Sequence, residues 1–247
     1  MAGTSVSLFI PCLVDQVYPE MGLAMAKVLR HLGYVLRYNP AQTCCGQPAW
    51  NAGQVPEARR VAAHFLDCFR DAADWIVCPS GSCTGMVRNH YQELFAGAPR
   101  HGEAVTASRK VRELSEFLAE RGDIPRLAGR LATPVRVAFH NSCHSYRELG
   151  IARQPFDILA QLAGCELCQP DGEPVCCGFG GLFYVKFPEV STGMAKARLR
   201  QLLENGAELI VSNDPGCIMN LRQEARSQQL PVRILHLAEF LAEALKL

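Results

Sequence analysis

The chain has 247 residues, of which 49% are hydrophobic and 20% charged, a composition typical of a folded protein with a buried core. Its 25 Lys and Arg residues nearly balance its 24 Asp and Glu residues, and no basic run contains interleaved aromatics, which argues against binding of nucleic acid. No apolar run reaches the about 18 residues of a membrane span, and the first residues lack the basic and apolar regions of a signal peptide. We therefore expect a cytoplasmic protein with no membrane span.

The first half alternates short apolar strands with helices. The predicted strands are 6–10, 35–38, 75–77 and 111–114. The predicted helices are 20–30, 56–70, 84–95 and 115–120. Residues 99–110 are polar and give no clear prediction. The following segment, 121–134, is rich in Gly and Pro and is predicted to join two halves of the chain.

The second half repeats this alternation. The predicted strands are 135–139, 166–168, 209–211 and 232–235. The predicted helices are 155–163, 191–204, a helix from the turn at 214–217 to about 227, and 237–245. Gly164 is predicted to stop the first of these helices and Ser191 to cap the second. Short apolar strands separated by helices indicate parallel sheets covered on both faces. The predicted fold is α/β, with two tandem pseudo-symmetric halves, each a small mostly parallel sheet flanked by helices, divided into domains 1–130 and 131–247.

Two pairs of adjacent cysteines, each followed by glycine, are unusual features of this chain: Cys44-Cys45-Gly46 and Cys176-Cys177-Gly178. Neighbouring side chains point to opposite faces of a strand and diverge by about 100° on a helix. The backbone must therefore turn sharply to aim both sulfurs at one object, and glycine permits such a turn. Two copies of this motif indicate two copies of one site.

The spacing of the cysteines shows an internal repeat. Cys44 follows Cys12 by 32 positions, and Cys176 follows Cys143 by 33. The later intervals agree as well, and the first half carries an insertion of 11 residues that fits the polar stretch 99–110. Each half thus supplies four matched cysteines: Cys12, Cys44, Cys45 and Cys83 in the first, and Cys143, Cys176, Cys177 and Cys217 in the second.

These eight cysteines are the candidate metal-binding and cofactor-binding residues. All but the double cysteines follow predicted strands at their carboxyl ends, where ligands gather in open α/β sheets. In a reducing compartment such cysteines are more often metal ligands or redox groups than disulfides. The wide spacing differs from the paired short knuckles of structural zinc, and the glycines suit the N–H···S contacts expected around iron–sulfur sulfurs. The residues alone favour iron–sulfur but leave zinc and a dithiol redox site open.

At the level of whole motifs, the chain resembles the cysteine-rich CCG-domain family, and its lactate utilization members in particular. The segments that carry the resemblance are Cys44-Cys45-Gly46-Gln47-Pro48, Pro79-Ser80-Gly81-Ser82-Cys83, His140-Asn141-Ser142-Cys143-His144 and Cys176-Cys177-Gly178-Phe179-Gly180-Gly181. The resemblance covers essentially the whole chain. The CCG-containing subunit of heterodisulfide reductase is similar to it more distantly.

The resemblance implies an iron–sulfur electron-transfer subunit of a cytoplasmic L-lactate oxidation complex, rather than a complete enzyme. It implies a cluster of the [4Fe–4S] type, one or two per chain, held by the two quartets. The implied partners are a ferredoxin-like iron–sulfur subunit and a third small subunit, and lactate would be oxidised to pyruvate. No catalytic residue of this chain is implied.

One departure from the family pattern concerns a fifth ligand. In the heterodisulfide reductase subunit each motif ends in Cys-x-x-Cys, whereas the corresponding positions here are Ser80 and Asp214. This departure favours an ordinary four-cysteine cluster over thiol/disulfide redox chemistry of the heterodisulfide reductase kind. Cys78 or the Asp214 carboxylate remains open as a fifth ligand, and so does an accessory or redox role for Cys165 and Cys168.

A zinc-binding structural or assembly protein is a hypothesis from a different functional class, and it would use the same cysteines without redox chemistry. The roles of the nearby histidines and basic residues are also open. His140 and His144 flank Cys143 and are predicted either to hydrogen-bond the backbone or cluster sulfurs, or to transfer protons. If lactate binds this chain, the basic residues of the second repeat are candidates: Arg147, Lys186 and Arg198.

Overall fold

Two four-stranded sheets, each entirely parallel, form the framework of the computed structural model, which describes residues 3–247. The first sheet has the order β2-β1-β3-β4 and the second β6-β5-β7-β8, so the two halves share one topology. The predicted α/β fold with two similar halves is confirmed. The strands are β1 (Ser5–Leu8), β2 (Val35–Tyr38), β3 (Trp75–Cys78), β4 (Val111–Glu113), β5 (Gly129–His140), β6 (Leu162–Leu167), β7 (Leu209–Ser212) and β8 (Arg233–His236).

Helices connect consecutive strands, as parallel pairing requires. In the first half these are α1 (Cys12–Gln16), α2 (Pro19–His31), α3 (Gln47–Asn51), α4 (Val55–Cys68), α5 (Gly81–Gly85), α6 (Tyr91–Leu94), α7 (His101–Lys110) and α8 (Leu114–Glu120). In the second half they are α9 (Gln154–Leu159), α10 (Leu182–Lys186), α11 (Pro188–Leu203), α12 (Pro215–Ser227) and α13 (Leu237–Leu245). Turns of π-helix follow Gly85 and Cys143.

The core has three parts, because each sheet is covered on both faces. The inner faces of both sheets contribute to one shared cluster, which includes Val6, Val77, Val137 and Val211 together with α2, α8, α9 and α13. The outer face of the first sheet packs on α4, α6 and α7, and that of the second on α11 and α12. The two halves therefore share a middle layer of helices.

The helix contacts in this layer are reciprocal. Helix α2 packs against α13, and α9 packs against α8. In the repeat, α2 corresponds to α9 and α8 to α13, because each pair follows the equivalent strand. This exchange of partners is the pattern of a pseudo-two-fold axis between the halves. The division into domains 1–130 and 131–247 stays a prediction. Residues 1 and 2 of the first domain lie outside the described part of the chain. Strand β5, the first strand of the second sheet, begins at Gly129, next to the predicted boundary.

Several predicted elements of the first half differ from the structure. The polar segment 99–110, which gave no clear prediction, contains α7, and α7 has no counterpart between α12 and β8. It is the inserted element of the first half. Its buried face consists of small residues, Ala104, Ala107 and Ser108, which is why no apolar periodicity marked it. The predicted helix 84–95 is interrupted by a π-helical turn, Met86–His90.

Three predictions in the second half were wrong in their bounds. The predicted join 121–134 includes the first part of β5, which tolerates Pro134 because its register with β6 shifts between Arg130 and Val135. Leu162 and Ala163 lie in β6 rather than in the preceding helix, because they pair with the start of β5. Ser191 lies inside α11, not at its cap, and its hydroxyl donates to the carbonyl of Gly178.

Within residues 3–247, none of the helices combines the length and the apolar character needed to cross a membrane. The prediction of no membrane span is consistent with this finding.

Equivalent positions at the starts of α8 and α13 carry buried capping residues. Glu113 caps α8, and its carboxylate accepts hydrogen bonds from the backbone N–H and the hydroxyl of Ser115. Its other oxygen is buried without a partner in the described chain. Burial, to which the neighbouring Glu116 carboxylate adds, raises the pKa of Glu113 to about 8.

This raised pKa predicts a pH dependence of stability. A carboxyl whose folded-state pKa lies above its unfolded value stabilises the fold at low pH and loses that contribution as pH rises towards 8. Between pH 5 and pH 8 the unaltered chain should lose the contribution of Glu113 to its free energy of unfolding, and Glu113→Gln should not. We expect the losses of the two proteins over this range to differ by about 2 kcal/mol or more. Denaturant unfolding at both pH values measures the difference. Identical pH profiles of the two proteins would contradict it.

Candidate metal centres

Four βα connections position the single cysteines at the carboxyl ends of the central strands. Cys12 begins α1 after β1, and Cys83 lies in α5 after β3. Cys143 follows β5, and Cys217 lies in α12 after β7. The two double cysteines precede α3 and α10. The structure brings all eight predicted cysteines to the same edges of their sheets.

The first quartet gathers around the sulfur of Cys44. The Cys12 Sγ lies 3.7 Å from the Cys44 Sγ, and the backbone N–H of Gly46 donates to the same sulfur at 3.3 Å. Hydrogen bonds from the Cys12 and Cys45 thiols and from this N–H lower the pKa of Cys44 to about 3. The donor thiols have raised pKa values, since each shares its proton with Cys44 and is partly or wholly buried. Cys45 also contacts Cys83.

The second quartet has the same arrangement around Cys176. The backbone N–H of Gly178 donates to the Cys176 Sγ at 3.3 Å, and the Sγ atoms of Cys177 and Cys217 are 3.0 Å apart. Hydrogen bonds from the thiols of Cys143 and Cys177 and from Gly178 lower the pKa of Cys176 to about 2. The pKa of Cys143 is raised by its bond to Cys176 and by burial. Each quartet therefore stabilises negative charge on sulfur at one point.

Both quartets line one cavity of about 210 Å³ between the halves. All eight cysteines contribute to its wall, together with Phe179 and the glycines at 180 and 181. The sequence predicted two sites but not that they would face a common space. In the described chain, no Lys or Arg lines this cavity, and Asp214 is its one carboxylate.

Glycine is required after each double cysteine. Gly46 has φ +88° and Gly178 has φ +83°, in the left-handed region that side chains disfavour. A Cβ at Gly178 would also lie 2.7 Å from the carbonyl oxygen of Ser191 and 2.7 Å from the Cβ of Met194. The chain turns here against α11, which brings both sulfurs of the pair to the cavity.

Gly178→Ala is expected to destabilise the fold by about 3 kcal/mol, through backbone strain and a clash with main chain that cannot move aside cheaply. The matched control is Gly172→Ala, because Gly172 has φ +89° but no atom within 4 Å of its Cβ position. The control is expected to lose only the strain, about 1 kcal/mol. Guanidinium unfolding measures both, and equal losses would contradict the role of close packing.

Ser80 and Asp214, the positions that lack the fifth cysteine, contact each other across the two halves. The Ser80 hydroxyl donates to Asp214 Oδ2 at 3.2 Å, and the backbone N–H of Ser82 donates to the same oxygen at 2.9 Å. Oδ1 caps α12 by accepting from the N–H groups of Gly216 and Cys217. Both oxygens are therefore engaged by donors. The carboxylate joins the halves instead of standing free as a ligand.

A buried polar pair that the sequence did not reveal lies behind the second quartet. Arg198 Nε donates to His140 Nδ1 at 3.1 Å, and both residues are at most 2% exposed. A ring nitrogen of His140 lies within 4.8 Å of the Cys177 and Cys217 sulfurs, and His140 Nε2 has no hydrogen-bond partner among residues 3–247. Burial and the neighbouring guanidinium lower the pKa of His140 to about 3.

The remaining candidate residues differ in their relation to the cavity. His144 lines it and has its Nε2 3.3 Å from Gln47 Nε2 of the other half. Cys78 is buried in the outer core of the first half. Cys165 and Cys168 pack against different core clusters and do not contribute to the cavity wall. Arg147 and Lys186 do not line it either, and Arg198 is buried against His140.

The residues present fit an iron–sulfur group. Backbone N–H groups already point at one sulfur of each quartet, which is the contact that cluster sulfurs accept. The guanidinium of Arg198 is buried, and within the described part of the chain it donates to His140 and to Gln201 rather than to a carboxylate ion-pair partner. An anionic thiolate-ligated group would compensate this charge.

Comparison with known proteins is consistent with this interpretation of the site. The model of the CCG cysteine-rich domain matches the chain twice, over residues 6–88 and 137–222. Lactate utilization protein A of an Exiguobacterium strain is 36% identical over 98% of both chains, and that of Halalkalibacterium halodurans is 37% identical over 96% of both.

Among solved structures, a putative Asp/Glu racemase from Yersinia pestis matches 98% of this chain and 96% of its own, with 11% identity. Its TM-score of 0.36 is too low to carry a conclusion. The two family matches and the full-length relatives are decisive by themselves. The chain belongs to the cysteine-rich CCG-domain family and, within it, groups with the lactate utilization A proteins.

Proposed function

We propose that this chain is an iron–sulfur electron-transfer subunit of a cytoplasmic complex that oxidises L-lactate. The observation that carries the proposal is the placement of eight thiols, in two equivalent sets of four, around one cavity. The names of relatives that match almost the full length support lactate utilization as the setting. An L-lactate dehydrogenase complex would contain this chain as one subunit and not as its complete catalyst.

The proposed ligands are the two quartets: Cys12, Cys44, Cys45 and Cys83, and Cys143, Cys176, Cys177 and Cys217. A [4Fe–4S] cluster bound by either quartet would supply reversible one-electron storage. The chain's own contribution is to hold the thiols in place on rigid βα connections, donate N–H groups from Gly46 and Gly178, and exclude water with a largely apolar wall.

The lining of the cavity favours electron transfer over lactate binding. A 2-hydroxy acid carries a carboxylate, and such groups are bound by Arg or Lys in a partly buried site. In residues 3–247 no Lys or Arg reaches this cavity, and Asp214 would repel a carboxylate. We therefore assign lactate binding to a partner, either a ferredoxin-like iron–sulfur subunit or a third small subunit of the complex.

The experiment is anaerobic purification of the full chain, with analysis of iron, acid-labile sulfide and zinc, followed by EPR spectroscopy of the reduced protein. We expect about four iron and four sulfide per occupied quartet, and a brown protein with a reducible visible band. A colourless protein that contains zinc and no labile sulfide would support a structural or assembly role and overturn the proposal.

Thiol/disulfide chemistry of the heterodisulfide reductase kind is the less favoured redox function. The structure engages both oxygens of Asp214 with backbone and hydroxyl donors, and Ser80 is one of those donors. Neither Ser80 nor Asp214 therefore replaces the fifth cysteine ligand of the heterodisulfide reductase subunit. Each quartet therefore has the four thiols that one ordinary cluster requires.

A further inference from the structure

The two quartets differ in what lies directly behind them. Position 140 precedes Cys143 by three residues, as position 9 precedes Cys12, so His140 corresponds to Phe9. The glycine contacts extend the correspondence to the helices. A Cβ at Gly46 would meet the carbonyl of Ala58 and the Cβ of Val61, whereas one at Gly178 would meet the carbonyl of Ser191 and the Cβ of Met194.

Ala58 thus corresponds to Ser191 and Val61 to Met194, and both pairs are 133 positions apart. The same offset between α4 and α11 pairs Phe65 with Arg198. In the first half, Phe9 and Phe65 pack edge to face with ring centroids 4.9 Å apart. In the second half the same two places hold His140 and Arg198. An apolar aromatic pair is thus replaced by a buried polar pair that carries a positive charge.

The hydrogen bond between these residues fixes the location of the imidazole proton. Arg198 Nε can only donate, so His140 Nδ1 must accept through its lone pair. The ring is then neutral and carries its proton on Nε2. That nitrogen is buried and without a partner among the described residues, and the ring approaches the Cys177 and Cys217 sulfurs. A protonated Nε2 is a hydrogen-bond donor and is not free to ligate a metal.

We propose that His140 donates a hydrogen bond to the group held by the second quartet and that Arg198 fixes the tautomer that can donate. As a result, the group in the second quartet has a higher reduction potential than the group in the first quartet. The proposal rests on the proposed iron–sulfur function. Its physical basis is general. Hydrogen bonds to cluster sulfurs and a nearby positive charge stabilise the more negative, reduced state. Phe9 and Phe65 supply neither.

The consequence is an order between two otherwise equivalent sites. Electrons at equilibrium would occupy the second quartet's group before the first's. His140 and Arg198 are positioning residues here, because neither supplies a ligand atom. Their effect should therefore appear in a potential and leave the iron content unchanged.

The test is an anaerobic redox titration of the full-length chain, followed by EPR and visible absorption. His140→Phe places in the second half the residue that the first half has at the equivalent position. We expect the reduction equilibrium of the second quartet's group to become at least about tenfold less favourable. This corresponds to a reduction potential about 59 mV more negative for a one-electron couple at 25 °C. His140→Gln keeps an N–H donor and should shift less. Phe9→Leu, the control in the first half, should leave the second group's potential unchanged.

If the group in the second quartet has the same reduction potential in His140→Phe as in the unaltered chain, the inference is overturned and the proposed function stays intact. Loss of iron in His140→Phe but not in Phe9→Leu would also overturn it, since His140 would then be a ligand. If His140→Phe does not fold, Arg198→Gln tests the same pair and should also shift the potential downward. A chain with no iron or sulfide would instead contradict the proposed function.

Discussion

Cys176→Ala is expected to remove about half of the iron and labile sulfide from the anaerobically purified chain, and Cys44→Ala the other half. Cys176 and Cys44 are the sulfurs on which the other thiols and a backbone N–H converge, so each is the centre of its quartet. If each quartet holds one [4Fe–4S] cluster, about four iron are lost in each variant. Colorimetric iron and sulfide analysis, with EPR spin quantification, measures the loss.

The control is Cys68→Ala, because Cys68 lies at the end of α4 beside His64 and does not line the cavity. It should retain the full iron content. The double variant should contain neither iron nor sulfide. Full iron content in Cys176→Ala would contradict the assignment of that quartet. In a complex assembled with partner subunits, lactate-dependent reduction of an acceptor dye should be lost along with either cluster.

Asp214→Ala is expected to lower the free energy of unfolding by about 3 kcal/mol. The side chain is 3% exposed and accepts hydrogen bonds from two N–H groups of α12, one N–H of the first half and the hydroxyl of Ser80. Loss of a helix cap costs about 1 kcal/mol, and buried donors left without acceptors cost about 1 to 3 kcal/mol more. Guanidinium unfolding under anaerobic conditions measures the change.

Two variants separate the contributions of this carboxylate. Asp214→Asn keeps one oxygen for the α12 cap but presents an NH₂ group to the other donors, so we expect about half the loss. Ser80→Ala removes one of the four donors and also the hydroxyl that accepts from the N–H of Cys83 at the start of α5, so it should cost about 1 to 2 kcal/mol. A loss of less than about 1 kcal/mol in Asp214→Ala would show that Asp214 does not join the halves energetically.

The strands and the repeat could be predicted because their signals are local. Short apolar runs marked most of the strands, and matched cysteine spacings showed that the halves share one arrangement. Elements without such signals were missed. Helix α7 buries only small residues, and β5 continues through Pro134 because a register shift with β6 accommodates it.

The site itself was only partly accessible from sequence. The eight cysteines were identified by spacing, and the structure brings each quartet together. Their shared cavity depends on the packing of α2 against α13 and α8 against α9, which no local pattern encodes. His140 and Arg198 are 58 positions apart and contact each other through tertiary structure alone. Cysteine spacing alone pairs His140 with Phe9, whereas the pairing of Arg198 with Phe65 follows only from the glycine contacts of the folded chain.

The contact between Ser80 and Asp214 bears on how a protein with this symmetry can arise. In a dimer of two identical short chains, a residue on the two-fold axis meets its own copy. Two buried carboxylates in that position would repel each other, whereas two serines could each cap their own helix, as Ser80 caps α5, but would leave the N–H of Ser82 without its carboxylate acceptor. The present pairing needs one of each. In a single chain the two positions are encoded separately, so a serine and an aspartate can face each other across the axis.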